Sequence, residues 1–202
     1  MKTKYDLVVV GGGPGGSMAA MHAAKNGISV CILEKTRDIG YPVRCGEAIG
    51  ENALKQFVKP KDTWIAEYIT SCSLVSPNGI HINVPFTHEN GYILNRRIFD
   101  YDLSLMASNE GASIFTKSYV KSIKKNDKNG YDVHLDYLGD PKVIECRIVI
   151  GADGVDSRVG RWAGIKTQVK MKDMESCIQY SVGNIDLDVN RMDMYVGTNY
   201  AP

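Results

Sequence analysis

Read for its apolar and polar positions alone, the chain lays out a run of strands and helices. Leu7 to Val10 is an unbroken, β-branched apolar run, as expected of a strand buried on both faces. Ser17 to Lys25, rich in Ala and Met, predicts a helix that Gly27 ends, and Ser29 to Leu33 predicts the next strand. Together they make one β-α-β unit of about 30 residues. Thr36 to Gly50, with Pro42 and several glycines, reads as a loop, and Glu51 to Val58 as a helix. Ser71–Val75 and Ile80–Val84 read as a hairpin around Pro77-Asn78-Gly79. Phe99, Leu103, Met106 and Ala107 fall at helical spacing within Arg96–Asn109. Tyr119–Lys125, Tyr131–Tyr137 and Val143–Cys146 alternate as strands of an antiparallel meander, separated by Asn129-Gly130 and Gly139-Asp140. Ile148-Val149-Ile150 is another parallel-type strand, and Cys177–Val196 suggests two more that open a second domain.

Composition narrows the function class mainly by exclusion. Apolar residues make up 44% and charged residues 23%, as in an ordinary globular protein. The 24 basic and 23 acidic side chains are scattered, so no basic stripe points to nucleic acid. The N-terminus lacks the apolar core and cleavage site of a signal peptide, and no window approaches the ~18 apolar residues of a spanning helix. The expected location is cytoplasmic. Five cysteines, odd in number and without a Cys-x-x-Cys pair, argue against a disulfide framework and against zinc, and no metal site is expected. His22, His81, His88 and His134 show no ligand spacing.

Chemistry enters at Gly11-Gly12-Gly13-Pro14-Gly15-Gly16. Gly11 permits a tight turn out of the strand, Gly13 lets backbone approach a diphosphate, and Gly16 lets the helix pack closely on the strand. The helix start then offers N–H groups and a positive dipole end to phosphate. Glu34 ends the second strand and can accept hydrogen bonds from an adenosine ribose; otherwise it is a surface carboxylate paired with Lys35. This glycine unit at the chain start, with Gly151-Ala152-Asp153-Gly154 after a second apolar strand, favours FAD over NAD. Asp153 can meet cofactor hydroxyls, hold a loop, or belong to an unliganded Asp-Gly turn.

Four stretches together resemble the geranylgeranyl reductase family of flavoproteins, of the archaeal digeranylgeranylglycerophospholipid reductase type. They are Asp6 to Lys35, Gly40-Tyr41-Pro42-Val43-Arg44-Cys45-Gly46-Glu47-Ala48, Tyr92 to Asp100 with Arg96-x-x-Phe99-Asp100, and Gly151 to Gly164. The resemblance implies an α/β fold: an FAD-binding Rossmann-like domain of the p-hydroxybenzoate hydroxylase type, with an inserted antiparallel β-meander and the start of a second, mainly β substrate domain. Residues 1–170 would form the FAD domain and 171–202 the beginning of a lipid-binding domain. The chain stops just after a strand-like run, Met192 to Val196, and is read as truncated, with the family's second FAD segment and an aromatic lipid-site motif beyond Ala201-Pro202.

Carried over position by position, the resemblance implies FAD contacts at Gly15, Glu34, Cys45, Gly46, Ala48, Arg96 and Val120, besides Gly11, Gly13, Gly16 and Asp153 from the motifs. Apart from the resemblance, Arg96 reads first as part of the first turn of a surface helix with Asp100 as partner, and Val120 reads equally as a core strand valine. Cys45, preceded by Arg44 and followed by glycine, is the candidate catalytic residue, because a neighbouring cation favours a reactive thiol. The resemblance places it beside the flavin, near the alkene. The implied activity is hydride transfer from reduced FAD to isolated C=C bonds of geranylgeranyl lipid chains. It brings a peripheral membrane contact and an electron donor left open among ferredoxin, a deazaflavin and NAD(P)H. The alternatives are an FAD/NADPH aromatic hydroxylase and an electron-transfer flavoprotein that serves a quinone.

Overall fold

A computed structural model describes residues 1–200; Ala201-Pro202, named above with the lipid-site motif, lie outside the described residues. In chain order the strands are β1 (Lys4–Val10), β2 (Val30–Leu33), β3 (Ala48–Gly50), β4 (Ile65–Ile69), β5 (Ser71–Val75), β6 (His81–Pro85), β7 (Gly91–Leu94), β8 (Ser113–Phe115), β9 (Ser118–Lys125), β10 (Tyr131–Tyr137), β11 (Asp140–Gly151) and β12 (Arg191–Tyr195). The α-helices are α1 (Pro14–Lys25), α2 (Glu51–Lys55), α3 (Arg96–Asn109) and α4 (Arg158–Trp162).

The chain forms two units. The first comprises Met1–Val43 and Arg97–Ser176, the second Arg44–Arg96 together with the chain from Cys177 on. The sequence predicts a boundary at 170. The structure instead sends the chain out of the first unit after β2 and back at α3, because β8 returns to pair with β2.

In the first unit a six-stranded sheet runs β8-β2-β1-β11-β10-β9. Its first four strands are parallel and the rest antiparallel, so the mixed Rossmann-type α/β fold with a meander is as expected. The two halves share β11. Its beginning pairs with β10 (Asp140↔Tyr137 to Cys146↔Tyr131) and its end with β1 (Glu145↔Lys4 to Gly151↔Val10). The sequence predicts a break at Arg147, but its exposed, charged side chain pairs with Asp6 and the strand runs through it.

Strand β1 is buried on both faces because its side chains alternate between two cores. Val8 and Val10 join Cys31, Leu33, Val120, Val133, Leu135, Ile144, Cys146 and Val159. Leu7 and Val9 join Ile32 with Ala20 and Ala23 of α1 and Ala107 of α3. Burying each such valine or leucine stabilises the fold by roughly 1.5–3 kcal/mol.

The second unit holds two three-stranded sheets, β3-β7-β4, which is antiparallel, and β12-β5-β6, in which β12 lies parallel to β5 and β6 antiparallel. The hairpin around Pro77-Asn78-Gly79 forms as expected. Between Cys177 and Val196 the structure contains one strand, β12, where two were expected; residues 177–190 have no strand partner. On one face of the β12-β5-β6 sheet the register lines up Cys72, Leu74, Ile82, Val84, Met192 and Met194.

Candidate cofactor site

At the carboxyl end of β1 the chain turns sharply into α1. Gly11 has φ +105°, and a Cβ there would lie 2.2 Å from the Ala152 carbonyl oxygen. A Cβ on Gly16 would lie 2.0 Å from the Gly11 oxygen, so the helix seats directly on the turn. Gly13 is the N-cap of α1 and carries no side-chain cap, and Pro14 follows at the helix start. Around Gly13 and Gly15 a Cβ would meet nothing within 4 Å. The turn therefore presents uncapped amides and the helix dipole to open space.

The Glu34 carboxylate binds this turn. One oxygen accepts the Gly12 N–H at 2.8 Å, and the other accepts the Thr36 N–H and hydroxyl at 2.8 and 2.9 Å. Three of its roughly four acceptor positions are filled, which leaves room for about one more donor. Lys35 pairs with Asp156 at 2.7 Å rather than with Glu34.

Asp153 holds a loop. Its Oδ2 accepts the N–H groups of Arg158 (2.6 Å) and Val159 (2.9 Å), which fixes the start of α4. Gly154 (φ +64°) and Ser157 (φ +38°) make the left-handed turns that this requires. Val120 is buried in the core, as its reading as a core strand valine has it, and it also lines the adjoining cavity. That cavity, about 230 Å³, gathers Gly11, Gly13, Glu34, Val120 and Asp153. The sequence reading did not single out four more lining residues, Lys35, Asp156, Arg158 and Trp162. The Arg158 guanidinium is stacked between the rings of Tyr119 (5.0 Å) and Trp162 (4.9 Å), and it donates to the Tyr119 hydroxyl. Residues 153–158 are legible in the sequence as an Asp-Gly motif within the Gly151 to Gly164 stretch, but the contacts of Arg158 with Tyr119 and of Asp156 with Lys35 are not, because they join positions far apart in sequence.

Cys45, Gly46, Ala48 and Arg96 belong to the second unit. Glu47 adopts φ +64°. Its N–H donates to Cys45 Sγ at 3.3 Å, its carbonyl accepts the Leu94 N–H at 2.9 Å, and its carboxylate accepts the Arg96 N–H at 3.0 Å. Glu47, to which the sequence alone assigns no role, thus ties the cysteine loop to Arg96. The Cys45 N–H donates to Gln179 Oε1 at 3.3 Å. Cys45 is half-buried, and Gly46 and Ala48 are exposed. Ala48 also borders an apolar cavity of about 490 Å³, walled by Ile49, Ile69, Phe86, Tyr92 and Met192. The other cysteines differ in kind. Burial pushes the Cys31 thiol up to about 12, helped by Cys146, and pushes Cys146 up to about 11. Among the described residues no group of three or more His, Cys, Asp or Glu is placed to hold a metal ion.

The glycine turn, its carboxylate and the cavity beside them fit a dinucleotide. A family model described as FAD binding domain matches residues 4–198. The chain belongs to this FAD binding domain family. FAD, expected from the glycine turn, is the cofactor of the family. Digeranylgeranylglycerophospholipid reductase of Methanocella arvoryzae is 40% identical to this FAD binding domain over 205 residues, covering all of this chain and 52% of that protein. Digeranylgeranylglycerophospholipid reductase 1 of Methanococcoides burtonii is 41% identical, covering all of this chain and 50% of that protein. A geranylgeranyl bacteriochlorophyll reductase-like protein from Thermoplasma acidophilum superposes with a TM-score of 0.84 at 32% identity, covering 96% of this chain and 51% of that one. The family resemblance drawn from the four stretches therefore holds along the whole chain. Halogenase PltM, solved with phloroglucinol and FAD, superposes with a TM-score of 0.62 at 20% identity over 79% of this chain and 36% of its own, and shares the fold. The FAD binding domain spans about half the length of the curated relatives it matches.

Proposed function

We propose that this chain supplies the cofactor-holding and alkene-facing parts of an FAD-dependent reductase that saturates isolated C=C bonds in geranylgeranyl chains of archaeal-type membrane lipids. The observation that carries the reading is the Cys45 loop, which runs through Ala48 onto an apolar cavity in the same unit. Relatives matched along the whole chain are named for reductases of such lipids. Met192 lines that cavity and also belongs to the apolar face of the β12-β5-β6 sheet, which extends the surface suited to a hydrocarbon chain.

FAD, when bound and reduced, supplies a hydride. The open amides at Gly13 and the Glu34 carboxylate would hold its diphosphate and ribose, and Val120 would border the adenine through its main chain. An isolated alkene has no carbonyl to polarise, so a proton must reach one carbon as hydride reaches the other. Cys45 Sγ, oriented as an acceptor of the Glu47 N–H, keeps its own S–H for that donation. Gly46, Ala48 and Arg96 complete the proposed cofactor contacts. The electrons come from ferredoxin, a deazaflavin or NAD(P)H, and the protein works at the cytoplasmic face of the membrane as a peripheral protein. Among the described residues no helix is long and apolar enough to cross a membrane.

The test uses purified protein reduced with dithionite and incubated with unsaturated archaeal lipid, followed by mass spectrometry. A gain of two hydrogens per reduced bond is expected. Cys45→Ala should keep the flavin spectrum and lose about 100-fold or more in alkene reduction, the lower range for a general acid. Wild-type reduction by that variant would refute the role of Cys45.

A further inference from the structure

Strands β2, β1 and β11 lie side by side, with β1 in the middle. The loop after β2 carries Lys35 and the turn after β11 carries Asp156. Their side chains meet at 2.7 Å across 121 residues of sequence. The pair therefore spans the carboxyl end of β1, where the glycine turn opens. Lys35 and Asp156 line the same cavity as Gly11, Gly13 and Glu34. The turn that presents Asp156 is built for it: Gly154 and Ser157 take left-handed conformations on either side, and Arg161 Nη2 donates to the Asp156 carbonyl at 2.8 Å. The pair thus borders the space that a dinucleotide seated on the glycine turn, with its ribose toward Glu34, would enter.

We propose that Lys35 and Asp156 form a clasp over the adenosine part of the cofactor: two positioning residues that must part to admit FAD and that slow its release once they close. The proposal rests on the FAD reading of the glycine turn. The side chains are 48% and 50% exposed, so the clasp is screened by salt and its effect on release is modest.

The experiment measures the rate of FAD release from the holoenzyme by recovery of free-flavin fluorescence after dilution. It compares wild type with Lys35→Met, Asp156→Asn, the double variant and the swapped pair Lys35→Asp with Asp156→Lys. At low salt each single variant should release FAD about 1.5- to fivefold faster, the range of a solvent-screened pair. The double variant should be no faster than either single one, and the swap should recover most of the loss. Wild-type release should quicken toward that of the variants as salt approaches ~1 M, where screening acts within ~3 Å. Single variants that release FAD at the wild-type rate, or whose effects add in the double variant, overturn the clasp and leave the cofactor reading standing. A wild-type protein that cannot be loaded with FAD overturns both.

Discussion

At the scale of single residues, two glycines of one turn have opposite duties. Gly16 is required by packing, since a methyl there would press within 2.0 Å of backbone. Gly13 faces open space at an ordinary φ of −69°, so the fold does not need it and only a ligand would. Gly16→Ala should cost about 1–3 kcal/mol of unfolding free energy through overpacking. Gly13→Ala should stay within about 0.5 kcal/mol of wild type yet lose about tenfold or more in FAD affinity, ~1.4 kcal/mol. Urea midpoints and flavin titration distinguish the two, and equal destabilisation by both substitutions would contradict this division of labour. The sequence made the glycine roles and Glu34 legible, because motif spacing encodes them. It did not reveal that Glu34 is tied to Gly12 and Thr36, nor that Lys35 turns away to Asp156, since the partners of a charged side chain are decided by tertiary placement.

At the scale of elements, the strongly periodic segments were readable and the short ones were not. Helix α3 covers the range given by its apolar spacing, β2, β5 and β6 fall within a residue of expectation, and β1 begins three residues before its apolar run, at Lys4. Strands β3, β4, β7 and β8 were not picked out as strands; they are only three to five residues long, and their faces are set by cross-strand neighbours rather than by local alternation. Helix α4 owes its start to Asp153, whose carboxylate takes two of its amides. Asp153→Ala should therefore lower stability by about 0.5–2 kcal/mol, as loss of a helix cap does, with Asp153→Asn intermediate. Chemical denaturation of the apo protein measures this. An unchanged midpoint in the alanine variant would mean that the carboxylate serves the cofactor and not the helix.

At the scale of the whole molecule, the first unit is assembled from two stretches of sequence, with 44–96 leaving after β2 and the chain returning for α3 and β8. The sequence boundary at 170 followed the order of motifs along the chain, and motif order carries no record of which strand a returning segment joins.

Strand β11 has the widest consequence. Because one continuous strand is the edge of the meander at its beginning and the neighbour of β1 at its end, neither half of the sheet can melt while the other keeps all its ladder bonds. Hydrogen–deuterium exchange should register this as a single cooperative block, with the amides of 143–150 among the slowest and sharing one opening free energy with those of β1 and β10. A meander that exchanged as its own, faster foldon would break that expectation. Opening of the nucleotide half must then come from its loops, with the sheet acting throughout as a rigid keel.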